Sequence, residues 1–140
     1  MKTIQDAKAY LSRYREACAE LERLHRERER LAQLRAFASC RLDNTPVQGG
    51  PAPSPNAASD SLMDLEREIA AETARLYALR REITAAIRRV PDSTCRILLR
   101  WRYIEGLSFE KLAQQMHYSE RGVYKVHRRA LCLFAKTILV

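Results

Sequence analysis

Residues 102–131 read RYIEGLSFEKLAQQMHYSERGVYKVHRRAL, and the punctuation of this stretch decides the fold. Glu105-Gly106 closes a helix, glycine being suited to the left-handed position that ends one. Ser108 then stands where a short helix needs an N-cap, with Glu110 in the first turn, where the helix dipole favours a negative charge. Leu112, Ala113 and Met116 fall on one face of that helix. Ala113 is small enough to let a crossing helix approach, whereas a larger side chain would push the pair apart. His117-Tyr118 makes a tight turn, Ser119 caps a last helix, and Val123, Val126, Ala130, Leu131 and Phe134 trace its inward stripe at helical period. Glu120, Arg121, Tyr124, Lys125 and Arg128 are left outside.

Working outward toward the N-terminus, Pro91 stops whatever helix precedes it, and Asp92 or Ser93 caps the next. From Thr94 to Ile104 the sequence predicts a supporting helix, with Ile97, Leu98, Trp101 and Ile104 on its apolar face and Arg96, Arg100 and Arg102 elsewhere. Residues 91–140 are thus expected to form a three-helix domain whose second and third helices are joined by a tight turn. That build is the one used by helix-turn-helix readers of DNA.

Residues 1–90 have another character. From Ile4 to about Leu42 there is no Gly or Pro, and Ala, Leu, Glu and Arg dominate, which favours uninterrupted helix. Ile4, Ala7, Tyr10, Leu11, Tyr14, Cys18, Leu21, Leu24, Leu31, Leu34 and Ala38 trace one apolar stripe, on which the tyrosines are packing residues. The alternating run RERER at 26–30 reads as a solvated helix surface. Residues 43–61, DNTPVQGGPAPSPNAASDS, hold four of the five prolines and are expected to be a mobile linker. A second helix follows from Leu62 to Val90. There Leu62, Ile69, Leu76, Ile83 and Val90 recur every seventh residue, with Leu65, Leu79 and Ala86 three residues after their partners and Glu72 as one polar interruption. The fold expected is therefore all-α: a long, antiparallel, coiled-coil-like helical hairpin over 1–90, then the helix-turn-helix domain over 91–140. Each long helix is too narrow to bury its own seam, so its partner is either the other helix of the chain or a helix of a second copy.

Charge is unevenly placed. The chain of 140 residues has a formal net charge of +8, and residues 88–140 carry eleven Lys/Arg against four Asp/Glu. A polyanion would dock on that C-terminal segment. The four cysteines, Cys18, Cys40, Cys95 and Cys132, include no CxxC pair and no histidine at zinc-ligand spacing, so reduced thiols and no metal site are expected. The opening MKTIQDAKAYLSRY offers no continuous apolar segment. Neither signal peptide nor membrane span is expected, and a cytoplasmic protein is. There is no Ser/His/Asp order, no pair of carboxylates in an apolar setting and no phosphate-cradling glycine loop, so the reading is of a non-enzyme without cofactors. His25 and His117 are read as structural. His127 is open between a packing or surface role and a phosphate contact.

The run Tyr103-Ile104-Glu105-Gly106-Leu107-Ser108-Phe109-Glu110, with Leu112-Ala113, Ser119 and Val123, resembles the helix-turn-helix of region 4 of sigma-seventy-class RNA polymerase sigma factors, which reads the promoter's upstream element. Val123-Tyr124-Lys125-Val126-His127 is also similar to the recognition helix of LuxR-type response regulators. The whole layout resembles small phage and prophage proteins related to the ArpU and RinA transcriptional regulators. This implies a regulator of phage or prophage transcription in a bacterial cytoplasm. Two positions depart from the sigma-like pattern. His117 stands where most such turns have Gly, and Gly122 stands where a long polar side chain is usual, so a base preference does not carry over. The sigma region that grips the polymerase core is lacking, and a complete sigma factor is not expected.

The function expected is sequence-specific binding of double-stranded DNA. A recognition helix at about 119–135 would lie in the major groove, with Ser119, Glu120, Arg121, Tyr124 and Lys125 near base edges and Arg100, Arg102, Lys111, Arg128 and Arg129 on phosphates. One module spans few base pairs, so a homo-oligomer joined through the long helices is expected. Two other readings stand beside this one: a DNA-packaging protein like a phage small terminase subunit, and a sigma-like adaptor that binds RNA polymerase.

Overall fold

In a computed structural model, which describes the backbone of residues 2–44 and 55–139 and the side chains of 2–38 and 59–139, all regular structure is helical. The elements are α1 (Ile4–Asn44), α2 (Pro55–Arg88), α3 (Ser93–Leu99), a π-helical turn (Arg100–Ile104), α4 (Phe109–Met116) and α5 (Glu120–Thr137). No helix among the described residues is long and apolar enough to cross a membrane.

α1 opens on a reciprocal cap. The Thr3 amide donates to Asp6 Oδ2 at 2.8 Å while the Asp6 amide donates to Thr3 Oγ1 at 3.3 Å, satisfying two amides that the first turn leaves without helical partners. α1 and α2 both run into the stretch expected to be linker. Asp43 and Asn44 belong to α1, and α2 begins at Pro55, seven residues before Leu62. Proline lacks only an N–H that the first helical turn leaves unpaired anyway, and Ala57-Ala58 favours helix. The remainder of the expected linker, 45–54, lies outside the described residues.

The chain divides into two compact units. One comprises Met1–Cys18 and Leu76–Val140. Its core joins Ala7, Leu11 and Tyr14 of α1 and Ile83, Ala86, Ile87 and Val90 at the end of α2 to the buried faces of α3, α4 and α5. α5 packs on both α3 and α4, and the Tyr10 and Phe134 rings meet at 5.5 Å. The other unit, Ala19–Arg75, is built on Leu24, Leu65 and Ile69, with Leu21 and Leu31 packed beside them. The heptad residues of α2 are thus buried or half-buried along the described helix, and Ala17 joins the buried stripe of α1. Leu34 and Ala38 do not: Leu34 is 56% exposed and Ala38 is exposed too.

α3 corrects the expected register. Ile97 is 46% exposed and Trp101 only half-buried, while Cys95, Leu98, Leu99, Tyr103 and Ile104 are buried. The cause is the π turn, in which the Glu105 amide donates to the Arg100 carbonyl at 3.1 Å, five residues back. Spacing by five carries the buried face from Leu98 to Tyr103 and from Leu99 to Ile104.

Candidate nucleic-acid interface

The turn chemistry around α4 and α5 is built from the residues that the sequence marks for it. Asp92 Oδ1 accepts from the Thr94 and Cys95 amides at 2.9 and 3.3 Å and so caps α3. Those amides, the Cys95 one foremost, hold the Asp92 carboxyl below its ordinary pKa. Ser108 Oγ accepts from the Lys111 amide at 3.3 Å, and Ser119 Oγ from the Gly122 amide at 3.0 Å. Gly106 has φ +75, and the Leu107 amide closes the preceding helix onto the Trp101 carbonyl at 3.0 Å. His117 takes the left-handed conformation with φ 59 and ψ 39, and the Tyr118 amide then reaches the Ala113 carbonyl at 3.0 Å. That one residue turns the chain from α4 into α5.

Four rings and a guanidinium fix α5 against α4 and the π turn. The Phe109 ring packs on Tyr124 with centroids 4.5 Å apart and meets the edge of His127 at 5.0 Å. Arg102 lies over the Phe109 ring, its Cζ 4.2 Å from the centroid, and donates from Nη1 to the Leu107 carbonyl at 2.9 Å. His127 is 9% exposed, and its Nε2 shares a 2.8 Å hydrogen bond with the Tyr103 hydroxyl. Burial, reinforced by Arg102 and Lys8, pushes the His127 pKa down to about 4, and burial pushes the Tyr103 phenol up to about 12. His127 is therefore a neutral packing residue. A phosphate contact, the other role open to it in the sequence, requires an exposed imidazole.

The site residues separate by what they already touch. Glu120, Arg121, Lys125 and Arg128 are exposed on α5 and Lys111 is exposed on α4, and none of their side chains makes an ion pair or hydrogen bond among the described residues. Tyr124 is 52% exposed with one ring face held by Phe109, so it projects from α5 in a fixed orientation. Ser119 is engaged as the cap. Arg129 forms an ion pair with Asp92 at 2.5 Å, and Arg102 is committed to Phe109 and Leu107. Arg100 stands on the π turn beside Arg96 and Ile97. Gly122 is half-buried, and a Cβ there would lie 3.2 Å from the capping Ser119 Oγ.

Charge follows the same division. The unit containing α3–α5 carries seventeen Lys/Arg against seven Asp/Glu, whereas the unit spanning Ala19–Arg75 carries eight against ten. In the second, Arg23 pairs with Glu20 and Glu27, and Arg26 with Glu22, as a solvated helix surface.

A protein-family model, described as Protein of unknown function (DUF1492), matches residues 36–134, from the last turns of α1 through most of α5. The chain belongs to the DUF1492 family. No curated protein and no solved structure matches it. In this DUF1492 protein the matched region contains the Asp92, Ser108 and Ser119 caps, the turns at Gly106 and His117, and Arg121, Tyr124, Lys125 and Arg128 of α5.

Proposed function

We propose that this protein is a sequence-specific DNA-binding transcriptional regulator of phage or prophage type. In this reading α4 and α5 are the helix-turn-helix, related to sigma region 4 and the ArpU and RinA regulators, and α5 lies in the major groove. α1 and α2 form an antiparallel hairpin. The observation that carries the reading is the outer face of α5. Arg121, Lys125 and Arg128 have no partner among the described residues, and Tyr124 stands among them packed on Phe109, on the unit that holds the positive charge.

Arg121, Tyr124 and Lys125 face base edges, while Lys111 and Arg128 meet phosphates, which supply most of the affinity. The protein acts in the bacterial cytoplasm, as a homo-oligomer, because one module reads too few base pairs for useful specificity.

The test is selection of genomic fragments by the purified protein at about 150 mM salt, where nonspecific phosphate binding is suppressed. A shared motif upstream of promoters is expected, and Lys125→Ala should weaken binding to it with the helical spectrum unchanged. Enrichment at a packaging start site instead would make the protein a small-terminase-like marker of DNA. No enrichment, with binding to RNA polymerase, would make it an adaptor.

A further inference from the structure

The register shift in α3 leaves an apolar side chain where none is needed for the fold. Ile97, 46% exposed, forms with Ile87 and Ile104 the floor of a cleft of about 190 Å³ between the end of α2 and the α3–π segment. Arg88, Arg96 and Arg100 rim it. Arg96 is tied to the Val90 carbonyl at 2.6 Å, but Arg88 and Arg100 are exposed and make no ion pair among the described residues. A phosphate backbone has no use for an isoleucine floor. What fits is one apolar side chain flanked by carboxylates, seated as interface anchors are in small pockets.

The chain itself supplies such a group. Residues 60–72 of α2 carry five acidic residues against one arginine. On that stretch Met63 is 51% exposed, and the exposed Asp60 and Glu66 flank it on its helical face at a spacing of three to either side, while Asp64 is paired with Arg67. Methionine is unbranched and adapts to an irregular cleft, and the small Ala70, Ala71 and Ala74 on the same side let a partner approach closely. Met63 and Ile87 lie on one helix, twenty-four residues apart, so the Met63 that fills a cleft comes from another molecule.

We propose that the cleft formed by Ile87, Ile97 and Ile104 is a self-association site that receives Met63 of a second copy, with Asp60 and Glu66 meeting Arg88 and Arg100. The contact is heterologous, one face of a copy on a different face of the next, so copies join head to tail and each retains a free cleft or a free Met63 face. Arg100 then serves a protein contact and not a phosphate. The contact needs no DNA and stands whether or not α5 reads one.

The test is sedimentation velocity on the full chain, freed of nucleic acid, from micromolar to submillimolar concentration, on the wild type, Ile97→Glu, Met63→Glu and an equimolar mixture of the two variants. Both substituted side chains are exposed, and matching circular dichroism at 222 nm verifies that the variants are folded. Wild type should self-associate, and each variant alone should associate at least about 30-fold more weakly, as for loss of an interface hot spot. The mixture should form a one-to-one heterodimer that grows no further, because each variant keeps one intact half of the contact. The proposal is overturned if wild type stays monomeric, if either variant alone associates like wild type, or if the mixture stays monomeric.

Discussion

Lowering the pH from 7 to 5 should remove about 2 kcal/mol of folding stability through His127 alone. In the unfolded chain this imidazole titrates near its ordinary value of 6.5, while in the folded protein burial holds its pKa at about 4. Between those values the unfolded state takes up a proton that the folded state refuses. Stability contributed by the neutral ring is therefore complete above pH 6.5 and is lost as the pH falls toward 4, at about 1.4 kcal/mol per unit. The 1.5 units from 6.5 to 5 give about 2 kcal/mol. Urea unfolding followed at 222 nm at pH 7 and pH 5 measures the drop, and the same pair of measurements on His127→Gln removes the part due to carboxylates. Wild type should lose about 2 kcal/mol more than the variant across this interval. Equal losses would refute the reasoning, because an imidazole exposed enough to meet a phosphate would titrate alike in both states and contribute no difference.

His117→Gly should stabilise the protein by about 1 kcal/mol in a thermal melt, since φ 59 costs a side chain that glycine does not carry. Gly106→Ala should destabilise it by about 1–2 kcal/mol, because φ is +75 there and the new Cβ would stand 2.5 Å from Arg15 Cζ. Adding Arg15→Ala should recover only the steric part, as the guanidinium can swing aside while the backbone penalty stays. Lys111 and Arg128 are the exposed cations assigned to phosphates, so fluorescence anisotropy with a duplex should show log K falling against log salt with a slope of about −2 per module; a flat dependence would remove α5 from the phosphate backbone.

The elements marked by backbone chemistry were legible in the sequence. Asp92, Gly106, Ser108 and Ser119 act at helix ends because their side chains, or the lack of one, satisfy groups that every helix terminus leaves unpaired. The heptads of α2 were legible for a similar reason, since a repeat of seven can only be one seam. Two things were not. Periodicity assumes a constant rotation per residue, and nothing in Arg100–Ile104 announces the π turn that moves Ile97 out of the core and Leu99 and Tyr103 into it. Periodicity also says that a seam exists without saying what covers it. Ala7, Leu11, Ile83 and Val90 are buried in the same core as α3–α5, whereas Leu34, on the same stripe as Ala7, is open to solvent.

The candidate site was legible as a set of residue types but not as a set of available side chains. In the sequence Arg102, Arg128 and Arg129 are equivalent cations near a recognition helix. In the fold Arg128 has no partner among the described residues, Arg129 holds the carboxylate that also caps α3, and Arg102 closes the turn at Leu107 and braces the ring that braces Tyr124. Moving Arg102 to a phosphate would give up that carbonyl bond and loosen Tyr124, and moving Arg129 would weaken the cap on the helix that supports α5. Each would exchange an existing intramolecular partner for the new one, whereas Arg121, Lys125 and Arg128 would give up no partner among the described residues. An affinity for a polyanion would therefore rest on fewer side chains than the count of eleven basic residues in 88–140 suggests. The arginines spent inside the fold set the angle at which the free ones are presented.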